Sequence, residues 1–387
     1  MSDPFFTFIR QSLQQRHHQH LYRTRKIVDG AQGTHIVVNG KPCISFCSND
    51  YLGLANHPDV VRALSNSAQQ QGVGSGAAHL ISGHNRTHHD LELELADFVQ
   101  RPRALLFSTG YMANQGAIQA LLSKSDAVFE DRLNHASLID AGLHSGARFR
   151  RYPHSDVAAL QNLLLKSSAD KKLVVTDGVF SMDGDIAPLD KLADATQANN
   201  AWLMVDDAHG LGVLGKQGRG SLELFQLTTQ RVPVLMGTLG KAFGSFGAFV
   251  AGDDDMVEFL VQEARTYIYT TALPPAIAEA TRTSLRIARQ EHWRRQQLTD
   301  LIHRFRQGAQ QLGLKLLDSS TPIQGLVLGD NNAAITLANK LYDKGILVSA
   351  IRPPTVPVNS ARLRITFSAQ HQEQDVDNLL NCLEAVR

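Results

Sequence analysis

Apolar positions recur along the chain with two spacings, and where the spacing changes the elements change. Phe5, Phe6, Ile9 and Leu13 lie close to helical spacing and predict a helix over about residues 4–26. Next, His35–Val38 and Cys43–Phe46 flank Asn39-Gly40, the pair favoured in a type I′ hairpin turn. The middle of the chain alternates short apolar runs with helical patterns. Its expected strands are Ala104–Phe107, Ala127–Glu130, Arg148–Tyr152, Leu173–Thr176, Trp202–Val205, Val232–Met236 and Gly247–Ala251. One helix fits most of the intervals through Val205, as in Asp156–Lys166 and Leu189–Asn199, so a mainly parallel sheet covered by helices is expected. The link from Met236 to Gly247 is too short for a comfortable crossover helix, which makes the seventh strand antiparallel.

Beyond about residue 285 the order is different. A long polar helix carries Trp293, Leu298, Leu301, Ile302 and Phe305, then come a strand at Gly325–Leu328 and a helix over about 333–343 ending at Gly345. Strands at Ile346–Ile351 and Arg362–Phe367 and a helix from about 371 complete a smaller α/β unit. The fold class is therefore α/β, with an N-terminal arm (1–48), a large domain with a seven-stranded, mostly parallel sheet (49–285) and a small C-terminal α/β domain (286–387). Such an arrangement places a site in the cleft between the two domains.

Composition narrows the class. At 387 residues the chain has room for two or three domains at ~150 residues each. Lys+Arg and Asp+Glu number 38 and 37, so the basic excess of a nucleic-acid or anionic-membrane binder is missing. Three cysteines make no disulfide framework and fit a reducing compartment. No signal peptide and no apolar run near the ~18 residues of a membrane span is read, so a cytoplasmic enzyme is expected. His17, His18 and His20 lack accompanying cysteines or carboxylates and read as a solvated helix face. Cys43 and Cys47 read as packing residues, and no metal site is expected.

Two familiar strings fail in context. Gly210-Leu211-Gly212-Val213-Leu214-Gly215 matches G-x-G-x-x-G, but Asp206-Asp207-Ala208-His209 precede it and more glycine loop follows. A dinucleotide fingerprint needs its glycines at the turn that opens a helix. Gly240-Lys241 lacks the glycine five positions earlier and the following Ser/Thr of a phosphate-binding loop.

Three strand ends carry chemistry instead. Ser108-Thr109-Gly110-Tyr111-Met112-Ala113-Asn114 stands between a strand and a helix, where small residues and free N–H groups suit an anion. Val205-Asp206-Asp207-Ala208-His209 ends an apolar run in two carboxylates and an imidazole. These suit a capped strand end, a metal, or a protonated pyridine nitrogen. Gly237-Thr238-Leu239-Gly240-Lys241-Ala242-Phe243-Gly244 sets one lysine among small residues, where it is either a solvated loop residue or an imine-forming nucleophile. Together they suggest a pyridoxal phosphate site, with an acidic partner for the pyridinium and a lysine for the carbonyl carbon.

These motifs, with Ser48-Asn49-Asp50-Tyr51-Leu52-Gly53, Asn134-His135-Ala136-Ser137 and Gly178-Val179-Phe180-Ser181-Met182-Asp183-Gly184-Asp185, span nearly the whole chain. They resemble the α-oxoamine synthases, fold-type-I pyridoxal phosphate enzymes that join an amino acid to an acyl thioester with decarboxylation. Ile351-Arg352-Pro353-Pro354-Thr355-Val356-Pro357 and Gly74-Ser75-Gly76 resemble the branch of that family serving biotin synthesis, whose substrates are L-alanine and pimeloyl-CoA or pimeloyl-acyl carrier protein.

The resemblance implies roles. Lys241, His135 and Asp206 would be catalytic: the lysine holds the cofactor and later takes the Cα proton, the aspartate keeps the pyridine nitrogen protonated, and the histidine stacks on the ring. His209 and Ser181 would bond the phenolic oxygen, and Gly110, Tyr111 and Thr238 the phosphate. Arg364, with Asn49 and His135, would take the amino-acid carboxylate, and Arg23, Arg352 and Thr355 the acyl substrate. An outward strand position is the other reading of Arg364, which shares a face with Arg362. Thr270 and Thr271 would reach the phosphate site of a neighbouring subunit in a homodimer. The alternatives are a sister enzyme such as glycine C-acetyltransferase, a nucleotide-binding oxidoreductase using Gly210–Gly215, and a non-catalytic protein of the same fold.

Overall fold

The computed structural model describes residues 3–19 and 21–386; His20 of the N-terminal histidine group lies outside them. In chain order the strands are β1 (Val28–Asp29), β2 (His35–Val38), β3 (Lys41–Ser45), β4 (Arg103–Phe107), β5 (Ala127–Asp131), β6 (Arg148–Tyr152) and β7 (Lys172–Asp177). They continue as β8 (Trp202–Asp206), β9 (Val234–Thr238), β10 (Ala248–Gly252), β11 (Ile323–Gly329), β12 (Ile346–Leu347), β13 (Ser349–Ile351) and β14 (Ala361–Thr366). The chain divides into one unit of Asn49–Ser181 and Asp185–Gln297 and another of Met1–Ser48, Met182–Gly184 and Leu298–Arg387.

The first unit is built on a seven-stranded sheet in the order β4-β10-β9-β8-β7-β5-β6. Neighbours from β9 to β6 pair in parallel, and β10 is antiparallel to both β9 and β4. The nearly continuous apolar runs of β5, β7 and β8 are buried, as strands covered on both faces must be. Strand β6 closes one edge, and its exposed Arg148, Arg150 and Arg151 discourage further pairing.

Behind β4, the helix Gly110–Leu121 starts at Thr109, whose hydroxyl accepts from the Met112 N–H at 3.2 Å. Its small residues let it lie close. A Cβ on Gly116 would stand 2.5 Å from the Thr266 hydroxyl and 3.0 Å from Phe107. Leu105, Phe107, Ile118, Val128, Leu138 and Met236 share the core it covers. Glycine is required on backbone grounds at Gly244, in the lysine loop, where φ is +58° and a Cβ would meet the Ala55 nitrogen at 2.3 Å.

The second unit has two small sheets. In the hairpin β2–β3, Asn39 and Gly40 take φ of 50° and 74°, as a type I′ turn demands, and Val38 pairs with Lys41. The expected strand 346–351 is divided. Strand β12 pairs in parallel with β3, and β13 pairs with β14 in the sheet β11-β14-β13. The chain thus changes sheets at Val348. The β3–β12 pairing draws the N-terminal arm into the same unit as the C-terminal segment. The division falls at Leu298 inside the helix Trp293–Gln311, while residue 285 sits inside the helix Pro275–Gln290. The N-terminal helix runs from Pro4 to His18, shorter than its apolar spacing suggests, and none of its residues is buried.

Candidate active site

Three parallel strands of the large sheet, β5, β7 and β8, end in Asp131, Asp177 and Asp206. Asp177 pairs in register with Asp206. Both are buried, and neither has an arginine or lysine within salt-bridge distance among the described residues. Asp206 is held by donors: its carboxylate accepts from Asn114 Nδ2 at 2.8 Å and from the Ala208 N–H at 3.0 Å. Burial, then the Asp206 charge, push the Asp177 carboxyl well above its ordinary range, against the Lys241 charge.

Asp207 has a different fate. Its carboxylate turns into a socket of glycines and accepts from the Ser221 N–H at 2.7 Å. A Cβ on Gly178, Gly210 or Gly220 would come within 2.7, 2.0 or 1.9 Å of its oxygens. Burial raises its pKa to about 7. The glycines of the string 210–215 therefore make room for other side chains: Gly210 for Asp207, Gly212 for Ala242 and Gly215 for Glu223. No helix opens inside the string, and the next, Ser221–Leu224, is four residues long.

A hydrogen-bonded line leads from Asp206 to His135. Asn114 Nδ2 also donates to Ser137 Oγ at 2.9 Å, and Ser137 Oγ is 2.8 Å from His135 Nδ1. The buried Asn114 Oδ1 has no hydrogen-bond partner among the described residues. His135 caps the helix Ala136–His144, and its own N–H donates to Asp177 at 2.7 Å. Desolvation lowers the His135 pKa, the Asp206 charge opposes this, and Lys241 adds to it. Lys241 thus acts electrostatically on both His135 and Asp177 from the loop after β9. That loop is closed by Leu239 N–H to Gly247 O at 2.9 Å and Gly244 N–H to Lys241 O at 2.8 Å. Thr238 Oγ1 donates to Gly247 O at 3.2 Å.

His209 is buried, with Nδ1 2.7 Å from the Tyr51 hydroxyl, which in turn donates to Asn49 Oδ1 at 3.2 Å. Gly110 and Tyr111 form the first turn of their helix, and the Tyr111 hydroxyl donates to Asp140. Ser181 ends the first stretch of this unit. Thr271, next to Thr270 in the chain, forms an isolated antiparallel bridge with Ala78. Asn114, Ser137, Asp177 and Tyr51 are the members that sequence reasoning left without a role. An apolar run ending in aspartate, the signal used for Asp206, also marks Asp177.

In the other unit, Arg364 and Arg362 are buried on β14, the central strand of its sheet, so neither is a solvated edge residue. Arg362 is bound to Asp183 and to Ser360 O. Arg352 and the exposed Arg23 are near enough that, after burial, the Arg23 charge lowers the Arg352 pKa. The Thr355 N–H donates to Arg352 O at 3.1 Å. Two like charges held together favour an anion between them.

The loop carrying Ser181 is braced by an imidazolium. His154 Nδ1 is 3.0 Å from Asp131 and Nε2 2.9 Å from Asp185, with the Phe180 ring edge-on. Burial alone would lower its pKa, but the two carboxylates outweigh burial and raise it to about 10. A raised value means stability fully present below pH ~6.5 and lost as pH climbs through about 10. His154→Ala is therefore expected to cost about 2–4 kcal/mol at pH 7 and clearly less at pH ~10.5. Urea denaturation at both values measures this, and an equal loss at both would contradict it.

The donor set fits pyridoxal phosphate. A buried carboxylate fixed by two donors suits a pyridinium nitrogen, a lysine stands on the next strand's loop, an imidazole lies between their fields, and a helix start is at hand for a phosphate. The architecture is that of the fold-type-I enzymes. The sequence pattern described as aminotransferase class I and II matches residues 41–383. The chain belongs to that family.

Within it, the chain is 59% identical over 374 residues to 8-amino-7-oxononanoate synthase of Nitrosococcus oceani, covering 97% of this chain and 99% of the relative. It is 60% identical over 371 residues to the enzyme of that name from Pseudomonas aeruginosa, with 96% and 92% covered. Among solved structures, a serine palmitoyltransferase from S. paucimobilis with PLP and myriocin bound superposes with a TM-score of 0.94 at 29% identity, over 100% of this chain and 98% of the other. The 8-amino-7-oxononanoate synthase of Francisella tularensis gives 0.78 at 35% identity, over 89% and 97%.

Proposed function

We propose that this chain is a pyridoxal-phosphate-dependent acyltransferase. It condenses L-alanine with pimeloyl-CoA, or with pimeloyl on acyl carrier protein, to give 8-amino-7-oxononanoate, carbon dioxide and the free thiol for biotin synthesis. The observation that carries the reading is 59% identity along 97% of the chain to a relative of that name, against 29% to the serine palmitoyltransferase.

When bound, pyridoxal phosphate withdraws electrons from the amino acid's Cα, which makes the proton there removable. Lys241 Nζ would hold the cofactor and, with L-alanine bound, would take the Cα proton. Asp206 keeps a proton on the pyridine nitrogen, with both carboxylate oxygens steadied by Asn114 and Ala208. His135, oriented through Nδ1 by Ser137, would lie against the ring and guide proton transfer. The Tyr51 hydroxyl fixes His209, which with Ser181 bonds the phenolic oxygen. Gly110, Tyr111 and Thr238 would hold the phosphate, and Thr270 and Thr271 would serve the partner's site in a homodimer. Arg364 and Asn49 bind the alanine carboxylate. Arg23, Arg352 and Thr355 bind the pimeloyl chain, whose far end is itself a carboxylate. The three free cysteines support a reducing, cytoplasmic setting.

A matrix of L-alanine, glycine and L-serine against pimeloyl-, acetyl- and palmitoyl-CoA and against pimeloyl-acyl carrier protein tests the reading. Turnover is expected for L-alanine with one of the two pimeloyl donors, with the nine-carbon product identified by mass. Preference for glycine with acetyl-CoA would replace it by the sister activity, and no turnover of any pair would remove it.

A further inference from the structure

A separate cluster of ligating side chains stands where the helix Arg86–Val99 begins, and the site above uses none of it. His88 is fully engaged: Nδ1 accepts from the Asn85 N–H at 2.9 Å and Nε2 is 2.7 Å from Leu273 O. The others are arranged differently. His84 Nδ1 faces His79 Nδ1 at 2.9 Å, which leaves His84 Nε2 on the far side of the ring, 4.0 Å from Glu92 Oε2. Glu92 is mirrored: its Oε1 accepts from the Leu106 N–H at 2.9 Å, so Oε2 is the oxygen turned to the imidazole. His89 lies three residues before Glu92 on the same helix face. One ligating atom from each of His84, His89 and Glu92 lies within 4.8 Å of the other two.

We propose that His84, His89 and Glu92 form a binding site for a first-row dication of the zinc class. Two imidazoles and a carboxylate are the donors such an ion takes, and three protein ligands leave a coordination position for water. Magnesium and calcium, which want an oxygen cage, are disfavoured. The hydrogen bond that His84 Nδ1–H gives to His79 Nδ1, and the one that Glu92 Oε1 accepts from the Leu106 N–H, are what a metal site uses to fix the ring nitrogen and the carboxylate oxygen offered to the ion. Donors on a tetrahedral ion stand about 3.3–3.4 Å apart, so the three must close by roughly 1 Å. His89 is exposed and the His84 side chain is 32% exposed, so both have room to do so. A bound ion would tie the π-helical turn His79–Gly83 and the helix to β4 through Glu92. On sequence, His17, His18 and His20, Cys43 with Cys47, and the group Asp206, Asp207 and His209 are the metal candidates, and no metal is expected.

The test uses the cofactor-loaded protein, stripped with chelator and dialysed against Zn2+ alone, with metal content and melting temperature measured. About one Zn2+ per chain and a raised Tm are expected, with no response to Mg2+. His89→Ala, at an exposed position, and Glu92→Gln should each weaken Zn2+ binding by at least about 10–100-fold while leaving the yellow cofactor band intact. The paired change His17→Gln and His18→Gln should leave binding as it was. Absence of Zn2+ binding by the parent protein, or unchanged affinity in His89→Ala, overturns the site, and so does loss of binding through the N-terminal pair alone.

Discussion

Lys241→Ala is expected to lower kcat for L-alanine and pimeloyl-CoA by at least about 10³-fold, because one substitution removes both the covalent hold on the cofactor and the base for the Cα proton. The fold should survive. The Lys241 loop is closed by backbone hydrogen bonds, Leu239 to Gly247 and Gly244 to Lys241, and none depends on the lysine side chain. Borohydride reduction followed by peptide mapping should place the cofactor on Lys241 in the parent protein and leave the variant unlabelled. Full turnover in Lys241→Ala, or a label on another lysine such as the exposed Lys216, would sink the assignment.

Asp206→Asn is the second large effect, about 10²–10³-fold in kcat, with little change in stability. The amide is nearly isosteric, but its new NH2 must face one of two donors, Asn114 Nδ2 or the Ala208 N–H, and it has no charge to hold a proton on a pyridine nitrogen. The neighbouring change separates chemistry from packing. Asp207→Asn should keep kcat near the parent value, because Asp207 turns into the glycine socket and bonds Ser221. Stopped-flow rates and cofactor spectra of the two variants decide this. Equal losses in both would mean that the pair acts structurally.

The large sheet was legible because β5, β7 and β8 are buried, so their sequences are nearly unbroken apolar runs, and because the short link before β10 allows only reversal. The split of β12 from β13 was not legible. A continuous apolar stretch does not show which of two sheets each half joins, and that choice is made by β3 and β14, far away in sequence. Lys241, Asp206 and His135 could be found because each sits in a recognisable string at a strand end. Asn114 and Ser137 could not, since a polar residue inside a helical pattern looks the same whether it faces water or, as here, links Asp206 to His135. Nor does adjacency reveal which of Asp206 and Asp207 faces outward; only the glycines gathered from two loops settle it.

That adjacency has a consequence for assembly of the sheet. Consecutive side chains near a strand end point opposite ways, so a shift of β8 by one residue would carry Asp206 into the place of Asp207 and Val205 into the place of Asp206. Asp206 would then enter a cavity with room shaped by Gly178, Gly210 and Gly220 for its neighbour, and Asp207 would lose the Ser221 N–H. An apolar strand among apolar strands has little else to mark its alignment. The two unlike sockets work as a keyed plug that accepts β8 in one position, so misaligned sheets are penalised by stranded charge before any cofactor arrives.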